Sequence, residues 1–282
     1  MDTKREYQPI TALPKQLLLD VSNIIHSYST ALVMVTKGED RKEVARLVGS
    51  GTFVFSSNTY GILTAAHVVD LLKGTFSLGL TLKEQEHRYA IDSMHLSIRR
   101  IAKGHVDSEG PDLAFIQLPS SEIPTIKATS TFYNLDRIRD RMLSTPPDLD
   151  MGIWALCGVP DILTTDGLSE IGFESLKEFH GQCGFGGIRN IYEVDSFDYC
   201  DFEVKYDSSP DIPESFGGVS GGGLWQIPLQ KRPDQIIEAK EYILSGIAFY
   251  QTQRDGIYRS IKCHSRKSIY DKAYQEVIKG NS

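Results

Sequence analysis

His67, Asp112 and Ser220 are three residue types that, brought together, activate a hydroxyl for attack on a carbonyl carbon. A serine hydroxyl is a weak nucleophile at neutral pH; it needs a base within hydrogen-bond reach, and the base needs an orienting group. Imidazole suits the base role because its unperturbed pKa of about 6.5 lies near the working pH. A buried carboxylate holds the required tautomer and stabilises the imidazolium that forms. Singly, each residue has a bland reading: a solvated or structural histidine, a turn aspartate, a loop serine. Their contexts are less ordinary. Thr64-Ala65-Ala66-His67 follows an apolar strand-like run, Asp112 immediately precedes another, and Ser220 lies between glycines just before a third.

The glycines around Ser220 add a second requirement of the same chemistry. Acyl transfer places negative charge on the former carbonyl oxygen, and two backbone N–H groups aimed at it stabilise that charge; losing one such donor typically costs about 10²–10³ in rate. A backbone that presents them must turn sharply, which Gly217, Gly218, Gly221 and Gly222 permit. The expected donors are the amides of Gly218 and Ser220.

The chain order His, Asp, Ser distinguishes the scaffolds on which such triads recur. Thr-Ala-Ala-His at 64–67, Asp-Leu-Ala at 112–114 and Gly-x-Ser-Gly-Gly at 218–222, with 45 and 108 residues between the three key positions, resemble the trypsin/chymotrypsin-like serine proteases. The resemblance covers residues 29 to 278. It implies two antiparallel six-stranded β-barrels, His67 and Asp112 on the first and Ser220 on the second, with the active site between them. Departures point to the disulfide-poor, bacterial or intracellular type. Val219 stands where zymogen-activated members carry an aspartate, no Arg-Ile-Val-Gly-like activation site precedes the first strand, and Ala66 and Val68 flank the histidine where a disulfide would begin. The resemblance also puts Glu214 at the base of the primary specificity pocket, favouring Arg or Lys at the cleaved bond, and makes Phe249-Tyr250-Gln251 the strand that pairs with substrate. The ordinary readings are a solvated loop acid and a barrel strand.

The elements that must position these residues follow from periodicity. Residues 1–28 read as an extension, with a helix opened by Pro14 and an apolar face at Leu18, Val21 and Ile25. Short strands dominate from residue 29. Runs at 51–55 and 60–64 are joined by a turn at Ser56-Ser57-Asn58 and form a hairpin. The first barrel is expected over 29–135 and a connection over 136–150, with a short helix from Leu135 to Leu143 that Pro146-Pro147 stop. The second barrel occupies 151–282 and ends in a helix capped by Ser268, with Ile269, Ala273 and Val277 on one face. Gly181–Gly187 lacks nucleotide-binding spacing and reads as a plain loop. The fold class is therefore all-β, with helices at both ends.

Bulk properties exclude other classes. At 40% hydrophobic and 24% charged residues the chain is an ordinary globular one, and its net charge of −7 disfavours a nucleic-acid surface. Met1–Gln8 is polar and acidic with no apolar stretch behind it, so neither a secretion signal nor a membrane span is expected. Four well-separated cysteines, Cys157, Cys183, Cys200 and Cys263, read as free thiols of a cytoplasmic protein. There is no Cys-x-x-Cys pair, and the adjacent Cys263-His264 is poorly spaced for ligation, so no metal or other cofactor is expected. The expected function is a serine endopeptidase acting on protein or peptide. The alternatives are a catalytically silent peptide-binding module and a latent effector protease. In the latter, residues 1–28 and 159–200 would dock a regulatory protein partner or cover the cleft.

Overall fold

The computed structural model describes residues 12–37, 43–82, 89–103, 110–168, 175–179, 181–206 and 212–279. It is mostly β, in sheets that are antiparallel except where the two-residue strand Tyr133–Asn134 runs parallel to its neighbour Glu43–Ser56. The first half contributes β1 (Ser29–Lys37), β2 (Glu43–Ser56), β3 (Thr59–Thr64), β4 (Ser77–Leu80), β5 (Tyr89–Asp92), β6 (Ser97–Ala102), β7 (Leu113–Gln117) and the short β8 (Tyr133–Asn134). They form one sheet in the order β5-β4-β1-β2-β3-β7-β6, with β8 beside β2. Among the described residues no pairing joins β5 to β6, so this sheet is an open path. The expected β2–β3 hairpin is present. Ser57 and Asn58 take φ of 47° and 70°, the two left-handed residues of a turn whose twist matches its strands. Phe53, Ile62, Leu78, Ala114 and Ile116 fill one face of the sheet and close over Val68 and Val69 of α2 (Ala66–Leu71) and Ile126 of α3 (Ile123–Lys127).

In the second half β9 (Ile153–Gly158), β12 (Gln182–Val194), β13 (Phe197–Lys205), β14 (Gly223–Ile227), β17 (Ile243–Gln251) and β18 (Tyr258–His264) close into a six-stranded ring, in the order β12-β13-β18-β17-β14-β9. Two hairpins lie outside it: β10 (Thr164–Leu168) with β11 (Ser175–Phe179), and β15 (Leu229–Lys231) with β16 (Ile237–Ala239). Trp154, Leu156, Phe202, Val204, Leu224 and Ile261 fill the ring. The expected loop at Gly181–Gly187 is a correction, because residues from Gln182 onward form β12 and pair with both β9 and β13. The glycines serve close packing there: a Cβ at Gly186 would lie 2.2 Å from the Glu203 carbonyl oxygen and 2.8 Å from the Phe202 ring.

Helix α1 (Lys15–His26) begins after Pro14 as expected, but the fully covered residues are Leu17, Val21 and Ile25; Leu18 is only partly covered. Residues 1–11 of the expected extension lie outside the described residues. A single apolar cluster takes in this face of α1, Leu63 and Phe115 of the first half, and Ile153, Trp225, Ile243 and Ile269 of the second. The two halves therefore share a core. The connection carries α4 (Arg139–Ser144), shorter than expected and starting later.

At the C-terminus a π-helical turn, Ser268–Ala273, leads into α5 (Tyr274–Ile278), and Ile269, Ala273 and Val277 are buried as their spacing predicts. Ser268 is not the cap. Its hydroxyl donates to the Asp198 carbonyl (2.9 Å), while the Asp198 carboxylate accepts the N–H groups of Lys267 (2.9 Å) and Ser268 (2.5 Å). The capping oxygen comes from β13, 70 residues away in sequence. No helix among the described residues is long and apolar enough to cross a membrane.

Candidate active site

Asp112 and His67 meet because β3 and β7 are neighbours: Leu63 pairs with Phe115 and Thr64 with Ala114. The strand end at Thr64 thus lies beside the strand start at Leu113. The chain turns at Ala65 into α2, and His67 sits in that helix's first turn, where N–H groups have no partner within the helix. The Asp112 carboxylate answers both needs. One oxygen accepts the His67 backbone N–H (2.9 Å) and the other lies 2.5 Å from Nδ1. Asp112 is fully buried and His67 nearly so. With Nδ1–H directed at a carboxylate, the neutral imidazole leaves Nε2 as an acceptor, the tautomer a general base requires.

Ser220 comes from the loop before β14. Its carbonyl accepts the Ser50 N–H (2.7 Å), and a Cβ at Gly49 would touch both that carbonyl (2.9 Å) and the Val68 side chain (2.6 Å). The serine is therefore held against the strand that faces α2, one residue along from His67. Its hydroxyl donates to the Phe249 carbonyl (3.3 Å).

Segment 217–222 is almost fully hydrogen-bonded, and its exceptions matter. Gly217 N–H donates to Ser215 Oγ (3.1 Å), Val219 N–H to Phe216 O (3.1 Å), Gly221 N–H to Ala248 O (2.7 Å) and Gly222 N–H to Val219 O (2.7 Å). Among the described residues, the N–H groups of Gly218 and Ser220 have no acceptor, and these are the two donors the sequence singled out. Their direction follows from peptide planarity, since N–H and C=O of a trans peptide point opposite ways. The Gly217 carbonyl is bound by Asp161 N–H (2.8 Å), which turns the Gly218 N–H away from Asp161. The Val219 carbonyl is bound by Gly222 N–H, which turns the Ser220 N–H away in the same manner. The loop needs φ of +84° at Gly218 and +92° at Gly221, left-handed values that side chains resist.

Two site residues escaped the sequence reading. Ser50, buried in β2, donates its hydroxyl to the Gly218 carbonyl (2.7 Å) and accepts the Val159 N–H (2.8 Å), fastening the Ser220 loop to the first half. His264, at the end of β18, accepts the Asp112 N–H at Nε2 (2.9 Å). Its ring lies among Phe197, Tyr199 and Phe249, and its Nδ1 finds no partner among the described residues. Burial pushes the His264 pKa down to about 4, against the pull of the Asp112 charge, so the ring is neutral at pH 7. No local pattern marks either residue, because each acts on a segment more than 100 residues distant.

The specificity candidates are distributed differently. Glu214 is exposed on its loop, and its charge acts on the Tyr206 hydroxyl. Phe249 is buried against Tyr199 and His264; Tyr250 and Gln251 are half-buried. Gln251 accepts the Phe216 N–H (2.8 Å), tying the end of β17 to the loop that carries Glu214. A separate concavity of about 650 Å³, lined by Tyr60, His95, Gln117, Ile123 and Lys127 among others, contains none of His67, Asp112 and Ser220. No family model matches the chain, and no curated protein matches it significantly.

Proposed function

We propose that this protein is a serine endopeptidase, built on two β-units of the chymotrypsin type and acting on protein or peptide substrates in the cytoplasm. The observation that carries the reading is the pair of N–H groups at Gly218 and Ser220 with no acceptor among the described residues, on a loop whose Ser220 carbonyl packs at Gly49 beside Val68, the neighbour of the His67 that Asp112 holds. Ser220 Oγ attacks the scissile carbonyl, and its proton passes to His67 Nε2. Asp112 steadies the imidazolium, and the oxyanion is received by the two amides. His67 then protonates the leaving amine, and water, activated by the same imidazole, hydrolyses the acyl-enzyme. Substrate extends along the free side of β17. On that side the last bonded residue is Ala248, which exchanges hydrogen bonds with Gly221 and Gly222, so Phe249–Gln251 continue without a strand partner there among the described residues. Attack requires the Ser220 hydroxyl to leave the Phe249 carbonyl and rotate toward His67.

That resting bond is also the observation favouring the second reading, a peptide-binding module without turnover or a protease kept latent until a partner binds. A fluorophosphonate probe separates them. The expected result is one adduct per chain, on Ser220, lost in Ser220→Ala and in His67→Ala. A folded chain that stays unlabelled, with peptide binding unaffected by Ser220→Ala, refutes the protease and supports the binding module. Labelling that appears only on adding a cellular extract supports latency.

A further inference from the structure

We infer that His26, Cys157 and Cys183 form a binding site for one divalent transition-metal ion of the zinc class. The three side chains come from three elements distant in sequence: the last residue of α1, the fifth residue of β9 and the second of β12. Their donor atoms all lie within 4.8 Å of one another. Two bonds of about 2.3 Å to sulfur and one of about 2.0 Å to nitrogen in a tetrahedral centre put donors roughly 3.5–3.8 Å apart. Closing the set therefore takes adjustments of at most about 1.3 Å, within the reach of side-chain rotation.

The surroundings fit the ion. Cys157 and Cys183 are direct cross-strand partners, so their side chains leave the same face of the sheet. That face is the one α1 covers, since Cys157 belongs to the apolar cluster of Leu17, Val21 and Ile25, and Cys183 packs on it. The Cys183 sulfur lies 3.8 Å from the Ser22 carbonyl, at the last turn of α1, where His26 also sits. The imidazole in turn packs against Gly181; a Cβ there would be 2.1 Å from its Cε1, so only glycine leaves the ring this place. Two thiolates neutralise a divalent cation and the imidazole adds no charge, so the filled site is electrically neutral in a largely apolar setting that would penalise a net charge. Thiolate and imidazole together select zinc-class ions over calcium or magnesium. Three protein ligands leave a fourth position for water. The other cross-strand pair, Cys200 and Cys263, belongs to no such three-donor group among the described residues and serves as an internal control.

The test uses the full chain, stripped of metal and kept reduced with a phosphine, titrated with Co(II) and then Zn(II). The expected result is a saturable cobalt spectrum at one equivalent, with thiolate-to-metal charge transfer and the intense visible bands of tetrahedral cobalt, displaced by one equivalent of zinc. His26→Ala and Cys183→Ser should lose those bands, weakening cobalt binding by more than the roughly 10–100-fold of an outer-shell loss. Cys200→Ser should keep them. A reduced chain with native circular dichroism and four titratable thiols, but no saturable cobalt spectrum, overturns the inference. So does a spectrum that survives Cys183→Ser or vanishes in Cys200→Ser. His26→Ala removes a ligand at a half-buried helix end and keeps the test decisive if either cysteine variant fails to fold.

Discussion

Replacing Ser50 with alanine removes one oxygen and takes the partner from a buried N–H, of Val159, and from a partly buried carbonyl, of Gly218. The Gly218 carbonyl loses a 2.7 Å donor and the Val159 N–H a 2.8 Å acceptor, at a residue with no solvent exposure. An unsatisfied buried polar group costs about 1–3 kcal/mol, so the two together should cost roughly 3 kcal/mol. At about 2.1 cal/mol/K per residue, a chain of 282 residues has an unfolding entropy near 0.6 kcal/mol/K, and the melting temperature should fall by about 5 °C. The functional effect is separable. Ser50 Oγ fixes the carbonyl of the peptide between Gly218 and Val219, so its loss loosens the segment bearing both unengaged N–H groups. Misplacement near 1 Å can cost about 10² in rate, and fluorophosphonate labelling of Ser220 should slow by up to that factor. Differential scanning calorimetry and labelling kinetics on Ser50→Ala and the parent chain measure the two effects. A variant melting within about 1 °C of the parent and labelling at the same rate refutes the assignment of Ser50 as the fastener of the loop.

Gly218→Ala should abolish labelling on a folded chain, because a Cβ there would lie 2.7 Å from the Val159 carbonyl oxygen at a φ of +84°; unchanged labelling would contradict the role of that turn. His264 makes stability depend on pH. Its pKa is about 4 when folded and about 6.5 when unfolded, so between those values the unfolded chain binds the extra proton. Stability is therefore intact above pH 6.5 and should fall by about 3 kcal/mol as pH drops to 4. Urea titrations at pH 7 and 4.5 should show this slope, reduced in His264→Gln. Asp198→Ala strips two N–H partners from the start of the C-terminal helical segment and should cost about 1–2 kcal/mol in the same assay. A loss below about 0.5 kcal/mol would mean that water replaces the carboxylate.

Features set by neighbours along the chain were legible. The Ser57-Asn58 turn, the apolar faces of both terminal helices and the glycine frame of Ser220 follow from residue type and spacing alone. Even there the helix face was misplaced by one position, because Leu17 and Leu18 are both apolar and only packing chooses between them. What failed depended on partners remote in sequence. Gly184 and Gly186 look like loop residues until Phe202 and β9 are placed against them. Ser268 has the chemistry of a cap, but Asp198 reaches the same N–H groups first. Ser50 and His264 carry no motif, and the three donors around His26 are 131 and 26 residues apart, beyond any spacing rule for metal ligands.

The bond between Asp112 and His264 gives the order of synthesis a meaning. A ribosome that has made residue 250 has already supplied the imidazole, the carboxylate and the alcohol, but not the ring that holds the peptide of the acid from behind. The backbone at Asp112 is anchored only when the eighteenth strand has been delivered. On the proposed reading, alignment of the alcohol with the imidazole therefore waits for a ring supplied 44 residues after the serine itself.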